Sequence, residues 1–211
     1  TELKNHSLEM IKEGLAKKQL ADLITDFCRE HHIDRFSLIG YSMGSHYATA
    51  IAEEIPERIN EYIIAAPSSI NPGFLAKCFV KYNLGNRLFE KIMLSERTVL
   101  NVIRFCKWLK LIDETGNAIL YKEVGTNELR YAMYASFTLI RNLETNEEKL
   151  IKALHQYNIR SIFVFGKKDK MFLPSIGRSF FKKLGNGEII ILDADHNMIN
   201  QTFVDLLAEK I

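Results

Sequence analysis

One short stretch of this chain places a serine between two glycines, where an apolar strand turns into a helix. The stretch Leu38–Gly44 reads LIGYSMG, and a run with small residues follows it to Ala52. A serine held at a tight turn between a strand and a helix exposes its hydroxyl, and flanking glycines allow the backbone to approach closely there. The pattern therefore predicts a strand over 35–40, a helix that reaches about Glu54 and an exposed hydroxyl at Ser42. The same residues also fit an ordinary turn serine between two glycines. Whether Ser42 is a nucleophile therefore depends on whether the chain offers suitable partner residues for it.

Composition excludes several classes of protein. The chain has 211 residues, 47% hydrophobic and 26% charged, which is enough to bury a sizeable core. Its formal charge is only +2, with basic and acidic residues interleaved, so we expect no nucleic-acid partner. Cys28, Cys78 and Cys106 show no metal-binding spacing and suit reduced thiols of a cytoplasmic protein. The apolar runs are too short to span a bilayer, so we expect no membrane partner.

Apolar periodicity predicts the elements of a sheet with flanking helices. An amphipathic helix is expected over 8–28, and a buried strand over 59–66 follows the helix after Ser42. A strand, a helix and a strand at this spacing imply a parallel pair with a right-handed crossover. The later elements are a strand at 160–165, a short helix at 174–184, a strand at 188–192 and a last helix at 199–211. The sequence therefore predicts an α/β fold with a predominantly parallel sheet.

The segment 71–158 differs from the rest of the chain. Helical periods rich in aromatic residues recur in it, and no strand pattern is present. We predict that residues 1–70 and 159–211 form the core and that 71–158 is an inserted helical cap. An insertion that leaves the carboxyl end of a strand would lie over the same sheet edge as Ser42 and could shape an apolar substrate site. Its aromatic residues equally fit a role in packing the helices together.

Two polar residues are the predicted partners of Ser42. Asp169 and His196 each follow a predicted strand at its carboxyl end, where the active sites of open α/β sheets lie. A serine nucleophile needs a base at neutral pH, and the base needs an acceptor that fixes its tautomer. We assign Ser42 as the nucleophile, His196 as the base and Asp169 as the acceptor. The backbone N–H of Met43, beside a helix N-terminus, is the predicted oxyanion donor.

Other candidate residues have weaker arguments. Four histidines lie on predicted helices or at their ends: His6, His31, His32 and His155. His46 is expected to pack beside the sheet. The adjacent pair at 31 and 32 could suggest a metal, but neighbouring side chains on a short loop diverge, which favours a solvated helix end. Asp193 and Asp195 best suit turn formation and hydrogen bonds within the loop.

From its first helix onward the chain resembles an α/β hydrolase with a helical cap. The resemblance rests on the order Ser, Asp, His and on three segments: 40–44 (GYSMG), 166–169 (GKKD) and 195–196 (DH). It implies a serine hydrolase that cleaves a carboxylic ester or thioester of a small to medium apolar substrate, with no metal or organic cofactor. Epoxide hydrolases and haloalkane dehalogenases of this fold use an aspartate where Ser42 stands. An acyltransferase, a C–C bond hydrolase and a non-catalytic binding protein of the same fold remain alternatives.

One part of the family's pattern has no counterpart in the sequence. The family usually carries about four strands before the first helix seen here, together with the loop that supplies a second oxyanion donor. We therefore expect an N-terminally incomplete fold with an open sheet edge beside the Ser42 strand. The N-terminal segment with these strands would be cut off, disordered, or supplied by another chain or a homo-oligomer. Ser45 and His46 replace a glycine and a small residue of the family, which predicts a slightly altered helix contact.

Overall fold

The protein consists of two compact units. A computed structural model describes residues 7–70, 74–110, 112 and 114–210. Contacts between Cα atoms group residues 20–71 with 145–211, called the sheet unit here. They group residues 1–19 with 72–144, called the helical unit.

Four parallel strands form the centre of the sheet unit. They are β1 (Phe36–Tyr41), β2 (Ile59–Ala65), β3 (Arg160–Gly166) and β4 (Glu188–Leu192). Their order across the sheet follows their order in the chain, and within the described residues β1 pairs with β2 alone. All three pairings are parallel. The predicted strands and their parallel arrangement are thus confirmed, with each boundary within one residue of its predicted place.

Eleven α-helices accompany these strands in the described residues. The first five are α1 (Ser7–Glu13), α2 (Lys17–Glu30), α3 (Gly44–Glu54), α4 (Phe74–Lys81) and α5 (Asn83–Leu94). The next three are α6 (Glu96–Trp108), α7 (Glu114–Glu123) and α8 (Asn127–Leu139). The last three are α9 (Glu147–Gln156), α10 (Arg178–Leu184) and α11 (Gln201–Ala208). Among the described residues, no helix is both long and apolar enough to cross a membrane.

Helices cover both faces of the sheet, which explains why its central strands read as continuous apolar runs. On one face, Phe203 and Leu207 of α11 pack in a cluster with Ile162, Val164 and other buried residues. On the other face, the Phe163 ring meets the rings of Phe180 and Phe181 on α10 edge to face. The α/β fold class predicted from the sequence is therefore confirmed.

The helical unit has a small core of its own. Met93, Val99, Ile103, Val124 and Tyr134 are buried together. One buried polar side chain in it is paired twice: the Asn86 amide donates to Thr138 Oγ1 at 2.9 Å and accepts from the Tyr134 hydroxyl at 3.3 Å. These contacts show that the unit is packed around buried side chains and is not a loose set of helices.

The helix predicted over 8–28 is in fact two helices. Gly14 adopts the left-handed region, with φ of +76°, and its N–H bonds to the carbonyls of Met10 and Ile11. A glycine in this conformation ends a helix, because it carries no Cβ to oppose the turn. A Cβ at Gly14 would also lie 2.6 Å from Arg141 Cγ. The last two predicted helices, over 174–184 and 199–211, are shorter than expected.

The sequence predicts a helical insertion over 71–158, and the first of these boundaries lies outside the described residues. Helix α1 groups with the helical unit, and the sheet unit resumes at residue 145. Helix α9 is tied to α3, because Asn146 N–H donates to Glu53 Oε1 at 2.9 Å and Lys149 pairs with Glu54 at 2.7 Å. The role of the inserted helices as a cap remains a prediction.

Candidate active site

Ser42 directly follows β1 and has a left-handed backbone, with φ of 49°. Its N–H donates to the Ala65 carbonyl at 2.9 Å, so the ladder with β2 extends to the serine itself. Its carbonyl accepts from Ser45 N–H at 3.0 Å, which leads into α3. A non-glycine residue in this region costs on the order of 1 kcal/mol, which the surrounding bonds must hold in place.

The two glycines around Ser42 have different roles. A Cβ at Gly40 would lie 3.0 Å from Ala48 Cβ and from Ile64 Cδ1, so this glycine allows α3 to pack closely on the sheet. A Cβ at Gly44 would meet nothing within 4 Å among the described residues. The predicted need for close approach therefore applies at Gly40 and not at Gly44.

Met43 lies between the serine and the first residue of α3 with helical φ and ψ of −56° and −32°. No hydrogen bond within the described part of the chain uses its backbone N–H. The first N–H groups of a helix have no partner within the helix and favour negative charge. This N–H therefore suits an oxyanion, and the role of Met43 as oxyanion donor stays a prediction.

A buried chain of hydroxyl groups supports the turn at Ser42. Ser68 Oγ donates to the Ser42 carbonyl at 2.8 Å and lies 3.2 Å from Ser45 Oγ. Ser45 Oγ accepts from Ser69 N–H at 3.0 Å, and Thr49 Oγ1 contacts both Ser69 Oγ and Tyr62 Oη. Sequence reasoning missed this network, although the serine pair that follows β2 was visible. Ser45 of α3 is thus hydrogen bonded to the loop that follows β2, and the altered helix contact expected there stays a prediction.

Asp169 and His196 are hydrogen bonded to each other. His196 Nδ1 lies 2.9 Å from Asp169 Oδ2, and the Asp169 side chain is fully buried. The second carboxylate oxygen accepts from the N–H groups of Met171 at 2.8 Å and Phe172 at 3.1 Å. A carboxylate fixed in this way holds the imidazole ring in one orientation and favours the tautomer with its other nitrogen free to accept a proton.

The environment of Asp169 favours its ionised form. Burial by itself would raise the pKa of Asp169, but the hydrogen bonds from His196, Phe172 and Met171 outweigh it and lower the pKa below its ordinary value. The carboxylate is therefore charged throughout the neutral range.

Backbone contacts explain how these two residues meet. After β3, Lys167 N–H donates to the Leu192 carbonyl at 2.8 Å and Lys168 N–H to the Ala194 carbonyl at 2.9 Å. A Cβ at Gly166 would lie 2.5 Å from the Ala194 oxygen, so only glycine allows this approach. The loop that carries Asp169 is therefore bound directly to the loop that carries His196.

Tyr41 connects the serine strand to the histidine loop. Its hydroxyl donates to the His196 carbonyl at 2.5 Å, and its ring centroid lies 5.3 Å from that of His196. Burial and the nearby charges of Asp169 and Asp195 raise the pKa of the Tyr41 hydroxyl, which keeps it a donor. Because Tyr41 precedes Ser42 directly, this bond ties the histidine loop to the end of β1. The sequence indicated Tyr41 only as a residue between Gly40 and Ser42.

The structure joins two of the three predicted side chains. Within the described residues the Ser42 hydroxyl makes no hydrogen bond, so its pairing with His196 remains a prediction. Asp195 accepts from Asn197 N–H at 2.9 Å and Asp193 pairs with Lys168 at 3.0 Å, which fits the loop roles expected for both. His155 bonds to the Leu184 carbonyl, and His6 lies outside the described residues.

Comparison with known proteins identifies the fold. Solved structures similar to this chain include three that share 14–16% identity with it. A structure from a study of carboxylesterases of Nitrososphaera gargenis has 16% identity and a TM-score of 0.57, over 93% of this chain and 72% of its own. A hydrolase of Pseudomonas aeruginosa has 16% identity and a TM-score of 0.62, and the match covers 93% of this chain and 72% of the hydrolase. A hydrolase of Oleispira antarctica has 14% identity and a TM-score of 0.58, and the match covers 99% of this chain and 75% of the hydrolase. These likenesses show a shared fold.

A family model is matched over most of the sequence. The model is described as serine aminopeptidase, S33, and it matches residues 16–201. A search of curated protein sequences found no match. The matched range includes the turn at Ser42, the Asp169 loop and the His196 loop. The chain therefore belongs to the S33 serine aminopeptidase family of α/β hydrolases.

Proposed function

We propose that this protein is a serine hydrolase that cleaves a carboxylic ester or thioester of a small to medium apolar substrate. The observation that carries the proposal is the hydrogen bond between Asp169 and His196. The His196 carbonyl is itself bound by Tyr41, the residue before Ser42. Family membership supports hydrolysis, and the similarity to a structure from a carboxylesterase study favours esters. The residue roles below belong to this proposal.

The reaction proceeds through an acyl-enzyme. Ser42 Oγ attacks the substrate carbonyl carbon while His196 Nε2 takes the hydroxyl proton and Asp169 holds the ring through Nδ1–H. The negative charge that forms on the carbonyl oxygen is stabilised by the N–H of Met43. His196 then gives its proton to the leaving alcohol or thiol. Water attacks the acyl-enzyme in the same way, so that the acid is released and Ser42 is restored.

The inserted helical segment over 71–158 is proposed as the cap that selects the substrate. Its apolar and aromatic content favours an apolar acyl or aromatic group. In this fold the nucleophile and its partners are shared among many activities, so the specificity must come from residues outside them.

The test is labelling with a fluorophosphonate probe, read by intact mass. We expect one label per chain, and we expect Ser42→Ala to abolish it. The matched control is Ser37→Ala, which removes an exposed serine hydroxyl from the same strand and leaves the turn intact. Labelling that persists in Ser42→Ala would show another nucleophile and contradict the role of Ser42. A folded parent chain that takes no label would contradict the proposal and favour a binding protein.

A second candidate, the release of N-terminal residues from peptides, is favoured by the description of the family as serine aminopeptidases. It uses the same nucleophile but needs a substrate with a free α-amine. Hydrolysis of p-nitrophenyl esters of increasing acyl length should be compared with that of aminoacyl p-nitroanilides. Faster ester cleavage supports the first proposal. Cleavage only of anilides with an unblocked amine supports the second, and transfer to added alcohols would indicate an acyltransferase.

A further inference from the structure

Helix α6 of the helical unit exposes aromatic side chains to solvent. Trp108, the only tryptophan of the sequence, is 74% exposed, and Phe105 is 57% exposed. Their rings stack on each other, with centroids 5.8 Å apart and planes at 27°. Val102 and Leu109 are exposed as well and continue the same side of the helix. Apolar side chains grouped in this way on a surface mark an interaction site more often than chance exposure does.

Helix α5, which packs against α6, also exposes its apolar residues. Leu84 is 81% exposed and Leu88 is 51% exposed, and they lie one turn apart. They line an open groove of about 1100 Å³, to which Phe79 contributes an aromatic wall. Its charged lining consists of Arg87, Lys91 and the ion pair between Lys12 and Glu90. Both helices therefore turn apolar side chains outward, against the usual pattern of a surface helix.

Positive charge is concentrated on the same segment. Residues 81–110 contain seven lysines and arginines and two glutamates, a net charge of +5 in a chain whose total is +2. The basic residues are Lys81, Arg87, Lys91, Arg97, Arg104, Lys107 and Lys110. Lys81 and Lys107 pair with Glu144 and Glu114, and the two glutamates of the segment pair with Arg130 and Lys12. In the described part of the chain no carboxylate pairs with Arg97 or Arg104 of α6, and Arg104 directly precedes Phe105.

We propose that α5 and α6 form a docking surface for an anionic lipid bilayer, and that the protein binds such a surface peripherally. Helices that present Trp, Phe and Leu beside Lys and Arg lie in the interface of a membrane, where the rings enter the headgroup region and the cations meet anionic lipids. No spanning helix is needed for this mode of binding. The expectation from the sequence that the protein has no membrane partner considered only segments that could span a bilayer.

The single tryptophan makes the proposal directly testable. Phosphatidylcholine vesicles with phosphatidylglycerol should shift the Trp108 emission to shorter wavelength, and lipids brominated on their acyl chains should quench it. Vesicles of phosphatidylcholine alone should give little change, and added salt should reverse the binding because surface electrostatics are screened. An emission that does not respond to anionic vesicles, or responds equally to both kinds, would overturn the proposal.

Charge variants test the surface separately from overall charge. Replacing Arg97 and Arg104 by glutamine should weaken vesicle binding about fivefold for each residue, the usual effect of a basic residue near an anionic membrane. The matched control is Lys152→Gln with Lys182→Gln, two exposed positions on the sheet unit that remove the same charge. Equal losses in both pairs would show a general charge effect and overturn the assignment to α6.

An aromatic variant tests the apolar half of the surface. Phe105→Ala with Trp108→Ala, measured by co-sedimentation, should weaken binding about tenfold, with a circular dichroism spectrum like that of the parent. Unchanged binding would show that these rings do not enter the bilayer. Ser42→Ala should bind vesicles as well as the parent chain does, which separates this proposal from the proposed hydrolysis.

Discussion

At the scale of single residues, Asp169 contributes more than its contact with His196. It is buried, and each of its oxygens accepts hydrogen bonds, so its position is fixed by the loop before any substrate binds. A charged group that is fixed in advance needs no reorganisation during the reaction. Its stabilisation of the transition state is therefore not reduced by such a cost.

We expect Asp169→Asn to lower kcat for a p-nitrophenyl ester about 10³- to 10⁴-fold while KM changes little. The amide keeps the shape of the side chain but favours the wrong tautomer of His196 and does not stabilise its imidazolium form. The steady-state kinetics of the purified variant give both constants. Asp193→Asn, which alters an exposed carboxylate of the neighbouring loop, should leave kcat within about twofold of the parent. Similar losses in the two variants would argue against the role of Asp169.

At the scale of elements, the contact between the ends of β3 and β4 brings the candidate residues together. Gly166→Ala should lower both the activity and the free energy of unfolding, the latter by about 1–3 kcal/mol, because the new Cβ would clash with the backbone that leads to His196. Urea unfolding and ester hydrolysis measure the two effects.

Gly44→Ala is the matched control for this substitution. Its Cβ would enter free space among the described residues, and alanine suits a helix start better than glycine does, so we expect no loss of stability. If Gly166→Ala were as stable as Gly44→Ala, the close contact at the strand ends would not be a constraint.

The same scale shows what sequence could predict. The strands could be predicted to within one residue because strands buried on both faces are apolar throughout. Such a continuous apolar run can be recognised from neighbouring residues alone. The break at Gly14 was missed because the apolar positions keep their helical spacing across it. The hydroxyl chain from Ser68 through Ser45 to Thr49 was missed because it joins β2 to α3, and such pairings leave no periodic signal. Asp169 and His196 were predictable as partners since parallel strands end at one edge, whereas the bond from Tyr41 was not.

At the scale of the whole molecule, the lowered pKa of Asp169 couples folding to pH. A carboxyl whose native pKa lies below its unfolded value of about 4 stabilises the fold above that value, and this contribution is lost as pH falls through the native pKa. We expect the free energy of unfolding of the parent to exceed that of Asp169→Asn at pH 7 and the difference to shrink below about pH 4. Urea unfolding of both proteins from pH 7 to pH 3 measures it. A difference that grew on acidification would contradict the lowered pKa.

The left-handed backbone at Ser42 has a consequence for how the sequence can vary. Glycine adopts this conformation without strain, whereas serine and alanine both carry a Cβ that opposes it. Folding and hydrolysis therefore make opposite demands on this position. A library of variants selected only for soluble expression should enrich glycine at 42, and the same library selected for ester cleavage should return serine.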